Sequence, residues 1–103
     1  MAKSLKDGEA GELKQNTDII SIISNYVNLK KSGKNFIGLC PFHKEKTPSF
    51  VVDPQTQLYH CFGCNNGGDV ISFIMKIENL SFIEAVELIA KKTGYTLQYV
   101  ETG

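Results

Sequence analysis

The sequence predicts an α+β fold, a small antiparallel β-sheet with one N-terminal helix and two C-terminal helices packed on it. Two observations lead there. Apolar residues recur with helical spacing over 19–27 and again over 70–90, whereas the middle of the chain reads as short runs broken by turn residues. All three cysteines and both histidines fall inside that middle, between Cys40 and Cys64. Helices set at the ends of an antiparallel sheet are one of the few layer arrangements that bury both kinds of apolar face.

The middle stretch reads CPFHKEKTPSFVVDPQTQLYHCFGC. Its ligand-type residues form two tight pairs, Cys40-x-x-His43 and Cys61-x-x-Cys64, with seventeen residues between the inner members. Two residues separated by two others can turn both side chains toward one ion from a single tight turn. Two such turns joined by a hairpin supply four donors in a tetrahedron, the arrangement that Zn²⁺ takes with sulfur and nitrogen. A zinc ribbon is expected, with Cys40, His43, Cys61 and Cys64 holding one structural Zn²⁺. Such a site is closed and leaves no position for a catalytic water. Three cysteines cannot all pair as disulfides, and a lone Cys-x-x-Cys redox motif leaves Cys-Pro-Phe-His unexplained. His60 adjoins Cys61, and neighbouring strand residues point to opposite faces, so His60 should point away from the ion.

Taken in order, residues 1–15, MAKSLKDGEAGELKQ, are polar with two glycines and are expected to be a flexible N-terminal arm. The zinc-binding domain is expected over 16–103. Asn16 or Thr17 can cap a helix with Asp18 in its first turn, and Ile19, Ile20, Ile22, Ile23, Tyr26 and Val27 form its apolar stripe. Val27–Lys31 and Lys34–Leu39 flank Ser32-Gly33 as a hairpin leading into Cys40. A second pair of strands, Ser49–Asp53 and Gln57–Cys61, turns through Asp53-Pro54-Gln55-Thr56. Asn65-Asn66-Gly67-Gly68 reads as a turn, with Asp69 capping a helix whose stripe is Val70, Ile71, Phe73, Ile74 and Ile77. Ser81-x-x-Glu84 has capping-box spacing, Phe82, Ala85, Val86, Ile89 and Ala90 supply the next stripe, and Gly94 suits its C-terminal end. Tyr95 to Val100 is expected as a short terminal strand.

A chain of 103 residues is one small domain, of the size that often leans on a staple such as a metal. Metal-binding cysteines imply a reducing compartment, hence a cytoplasmic location. No apolar run approaches a membrane span, and the N-terminus lacks the apolar core of a signal peptide. No membrane association is expected.

A net charge of zero hides an asymmetry. Residues 28–47 carry five lysines (Lys30, Lys31, Lys34, Lys44 and Lys46) against Glu45 alone, while the segments on either side are net acidic. Single-stranded nucleic acid is held by cations along its phosphates and by aromatic faces on which bases stack. The basic block interleaves with Phe36, Phe42, Phe50 and Tyr59. Lys30, Lys34, Lys44 and Lys46 are therefore the expected phosphate contacts, and Phe36, Phe50 and Tyr59 the expected stacking residues, with Lys34 and Phe36 on one strand face. The competing reading is a solvated, merely solubilising turn.

GKNFIGLCPFHKEKTPSF followed by YHCFGCNNGGDVISFIM closely resembles the N-terminal zinc-binding domain of bacterial DnaG-type DNA primases, a likeness that runs from about Asp18 to Tyr95. The resemblance implies zinc on Cys40, His43, Cys61 and Cys64, and a ribbon that engages single-stranded template DNA and helps select where an RNA primer starts. Lys30, Lys34 and Lys46 match basic positions of the family's pattern. In that family the domain works with a separate RNA-polymerase domain and alongside the replicative helicase, at the bacterial replication fork. MAKSLKDGEAGELKQ departs from the family's usual apolar helical start, and up to Gly103 there is no cluster of carboxylates to hold Mg²⁺ against nucleotide phosphates. This chain alone is expected to be a monomer that polymerises nothing. Two other readings are a free-standing zinc-ribbon DNA-binding accessory protein and a structural adaptor docking a helicase or polymerase through its 69–93 helices.

Overall fold

The computed structural model describes residues 2–44 and 46–102. In chain order the elements are β1 (Ala2–Leu5), α1 (Glu9–Gln15), α2 (Ile19–Ile23), β2 (Lys30–Ser32), β3 (Asn35–Gly38), β4 (Phe50–Asp53) and β5 (Leu58–Cys61). Then come β6 (Gly67–Gly68), α3 (Val70–Glu78), α4 (Phe82–Thr93) and β7 (Tyr99–Thr102). Strands β2 to β6 form an antiparallel meander in sequence order, and β1 pairs with β7 in a separate two-stranded ribbon. This is the α+β architecture expected.

The register sorts the sheet's side chains. Phe36, Val52 and Tyr59 are cross-strand neighbours, as are Gly38, Phe50 and Cys61, and these rows turn inward onto the helices. Phe50, Val52, Tyr59 and Cys61 are buried with Phe73 and Ile74 of α3 and Val86 and Ile89 of α4. Lys30, Ile37, Val51, His60 and Gly67 form the alternating row and turn outward. Gly38 is needed where β3 passes the preceding segment: a Cβ there would stand 2.9 Å from both Asn28 O and Val27 Cγ1. Between β2 and β3 the turn is Gly33-Lys34, one residue later than expected, with Gly33 at φ 62 in the first central position, where hairpins favour glycine.

The C-terminal helices start and stop where local chemistry says they should. Asp69 Oδ1 accepts the Ser72 N–H at 2.9 Å, the Ser81–Glu84 capping box is complete, and Gly94 ends α4 at φ 75.

Elsewhere the structure departs from expectation. Residues 1–15, expected as a flexible arm, carry β1 and α1. Leu13 is fully buried in the core, and α1 is fastened by polar contacts: Glu9 Oε1 accepts the Gln98 N–H at 2.7 Å, and Lys14 pairs with Asp69 at 3.2 Å. The cap of α2 is Asp18, accepting from Ile20 N–H at 3.1 Å; the Thr17 hydroxyl instead donates to Leu13 O, closing α1. Gly67-Gly68, expected within a turn, forms a fifth strand on β5, and the terminal strand, expected over Tyr95 to Val100, lies at Tyr99–Thr102 and pairs with β1.

Candidate metal centre and nucleic-acid face

Cys40 follows β3 and Cys61 ends β5, so the meander itself delivers the two knuckles to one point. The ligand atoms of Cys40, His43, Cys61 and Cys64 all lie within 4.8 Å of one another, and no other such group occurs among the described residues. Cys40 Sγ stands 3.7 Å from Cys64 Sγ. A tetrahedron with Zn–S bonds of about 2.3 Å has sulfur–sulfur edges of roughly 3.8 Å, so the donor set fits zinc in chemistry and in size. His60 takes no part: it lies on the outer face, between Val51 and Gly67.

Hydrogen bonds orient the sulfurs. Phe42 N–H donates to Cys40 Sγ at 3.4 Å, Asn66 Nδ2 donates to Cys64 Sγ at 3.2 Å, and the Ser49 hydroxyl lies 3.6 Å from Cys61 Sγ. Burial pushes the Cys40 thiol well above its ordinary value, and the neighbouring Cys61 and Cys64 add to that rise. Burial also works against a Cys61 thiolate, yet the Ser49 hydroxyl, the N–H groups of Cys64 and Gly63 and the Cys40 thiol outweigh it and bring Cys61 down. Of the two buried thiols, Cys61 is therefore the one that gives up its proton first.

The first knuckle is anchored through Phe42, whose ring packs edge-on to Phe50 and Phe73 with centroids 6.4 and 5.6 Å apart. Tyr59 stacks on Phe50 at 5.4 Å. Phe50 and Tyr59 are 0% and 2% exposed, so the expectation that they stack on bases is corrected: neither has a face to offer. Phe36 is half-buried on the inner face, and Lys34 sits in the hairpin turn, off the strand it was expected to share with Phe36.

The lysines separate. Lys30 and Lys46 line one groove of about 460 Å³, floored by Ile37, Leu39, Pro41 and Pro48. Lys44 and Lys46 border an adjoining hollow with Leu39, Cys40 and His43. Lys34 borders neither. Within the knuckles the exposed aromatic ring is Phe62, 69% exposed and met edge-on by His60 at 4.6 Å. The signal was present: Phe62 is two residues beyond His60, and both alternate outward from Cys61.

No helix among the described residues is long and apolar enough to cross a membrane. The model of the CHC2 zinc finger family matches residues 6–103. The chain is 54% identical over 86 residues to the DNA primase of Halalkalibacterium halodurans, covering 84% of this chain and 14% of that protein. It is 46% identical to the DNA primase of Streptomyces coelicolor, covering 100% of this chain and 16% of that one. A crystal structure of the Aquifex aeolicus primase, comprising zinc-binding and RNA polymerase domains, superposes with a TM-score of 0.84 at 43% identity, over 90% of this chain and 23% of that chain.

Proposed function

The chain belongs to the CHC2 zinc finger family, and from that premise we propose that it is a template-recognition module of a DNA primase, binding single-stranded DNA beside one structural zinc. The observation that carries the reading is the groove in which Lys30 and Lys46 rim an apolar floor next to the first knuckle. Zinc is held by Cys40, His43, Cys61 and Cys64, and it fixes the first knuckle, whose Pro41 lines that groove.

In this reading Lys30, Lys44 and Lys46 sit against phosphates. Ile37 and Leu39 lie under the sugars and bases, and the row through Val51 and His60 continues the surface to Phe62, where a base can stack. Lysine contacts position a strand without reading it, so base preference comes from the aromatic end. Lys34, at the hairpin tip, supplies at most a peripheral contact, and Phe36 supports the sheet from inside. Initiation and primer extension belong to an RNA polymerase domain of the kind present in the Aquifex protein. That domain and the replicative helicase are the proposed partners, and the bacterial replication fork the proposed location.

Titrating short single strands at several salt concentrations tests the reading. Three lysine contacts give a slope of log K against log salt near about −2, at roughly −0.7 per phosphate, and Lys46→Ala flattens it by one contact. Identical binding by wild type, Lys30→Ala and Lys46→Ala overturns it. The adaptor reading then leads, favoured by Phe82 and Ile83, which lie exposed at the start of α4.

A further inference from the structure

Lys76 of α3 lies between the two knuckles. Its ammonium donates to Asn66 Oδ1 at 3.1 Å, just past the second knuckle, and stands 6.0 Å from the centroid of Phe42, inside the first. An ammonium has only donors, so its contact fixes which end of the Asn66 amide faces it. The opposite end, Nδ2, must then point the other way, and there it donates to Cys64 Sγ at 3.2 Å. The backbone of Asn66 is held as well, its carbonyl accepting the Cys61 N–H at 2.7 Å.

Charge gives this chain of contacts a purpose. Zn²⁺ with three thiolates and a neutral imidazole carries one net negative charge, which a nearby cation neutralises. Cys64 is also the least buried of the three cysteines: Cys40 and Cys61 are buried, Cys64 only partly. Among the thiolates it is therefore the one that an oxidant or a competing chelator reaches first, and it is the one whose sulfur accepts from Asn66.

We propose that Lys76 and Asn66 form an outer clamp on the zinc centre, Lys76 bracing both knuckles and orienting the Asn66 amide onto Cys64, so that together they set how slowly zinc leaves and how slowly that thiolate is attacked. Partners of this kind behind metal ligands typically carry about 10- to 100-fold in metal affinity. Lys76 lies exposed at the surface and Asn66 partly so, and neither belongs to the apolar core, so their replacement leaves the fold in place.

The test uses the zinc-loaded chain. Zinc transfer to a colorimetric chelator and the rate of iodoacetamide labelling at Cys64, read by peptide mass spectrometry, are measured for wild type, Asn66→Ala, Lys76→Met, the double variant and Lys76→Arg. Asn66→Ala and Lys76→Met should each release zinc about 10-fold faster or more and label faster at Cys64 than at Cys40. The double variant should be little worse than either single one, because both break the same chain of contacts, and Lys76→Arg should stay near wild type. Release and labelling within about twofold of wild type in both single variants overturns the clamp, as does a double variant whose effect is the product of the two.

Discussion

Gln57 Oε1 accepts the backbone N–H of Ile19 at 2.8 Å, tying the turn between β4 and β5 to the first residue of α2. The same side chain donates from Nε2 to Pro54 O at 2.6 Å, while its backbone sits at φ 60. A non-glycine residue in that region costs about 1–2 kcal/mol, so the two hydrogen bonds must offset strain as well as order the side chain. Gln57→Ala keeps the strain and loses the bonds; it should cost about 1–2 kcal/mol in denaturant melts. Gln57→Gly, which relieves the strain, should cost less. Equal melting of all three proteins would show the contact to be idle.

Metal removal should cost the domain much of its order, since four side chains from the two knuckles converge on the ion while the rest of the core is small. His43→Ala and Cys61→Ser should lower zinc content sharply, whereas His60→Ala should retain one zinc per chain by elemental analysis. Comparable loss from His43→Ala and His60→Ala would mean that the ligand set is wrong.

The aromatic residues should divide by exposure. Phe62→Ala should weaken single-strand binding by about 1–3 kcal/mol with little change in salt slope, and leave the melting temperature near wild type. Phe50→Ala should do its damage to stability, by about 3–5 kcal/mol. Binding losses from Phe62→Ala no larger than those from a surface lysine far from the groove, such as Lys91, would remove the stacking role.

Tyr59 gives a pH dependence with a definite sign. Burial pushes its phenol up to about 12, with the charges of Asp69, Cys40 and Cys64 adding to the rise. Its hydroxyl is buried with no hydrogen-bond partner among the described residues. A group whose folded value is raised contributes stability that is complete below the unfolded value, about 10, and is lost as pH climbs through the folded one. Stability should therefore fall between pH 10 and about 12 more steeply in wild type than in Tyr59→Phe. At neutral pH the phenylalanine variant should melt at or above wild type, because it removes an unpaired polar atom. A clear loss of stability in Tyr59→Phe at neutral pH would reveal a partner for the hydroxyl.

What the sequence made legible was carried by short-range chemistry. Asp69, Ser81 with Glu84, and Gly94 act within a turn of themselves, and each falls where it was expected. The doubled x-x spacing brought four donors together for the same reason. Helix α1 was hidden because it is held from a distance, by Glu9 on Gln98 and Lys14 on Asp69. Strand β6 was hidden because two glycines show no period; a Cβ on Gly68 would stand 2.9 Å from Ser72 Cβ. The stacking candidates failed through parity. Cys61 must face the metal, so Tyr59, two residues earlier, shares its inward face, and Phe50 lies directly opposite Cys61 in the register. The alternation that set His60 outside also set Tyr59 inside and Phe62 out.

The pairing of Ala2 with Thr102 brings the two strands that bracket the chain side by side. Antiparallel neighbours stand about 4.5–5.5 Å apart at Cα, a gap that a few added residues can close into a ring. Reopened at an exposed hairpin tip, that ring gives a circular permutant in which the order of elements changes while the zinc knuckles keep their neighbours. In its natural order the same pairing acts as a single mooring: a chain fused before Ala2 and one fused after Thr102 leave side by side.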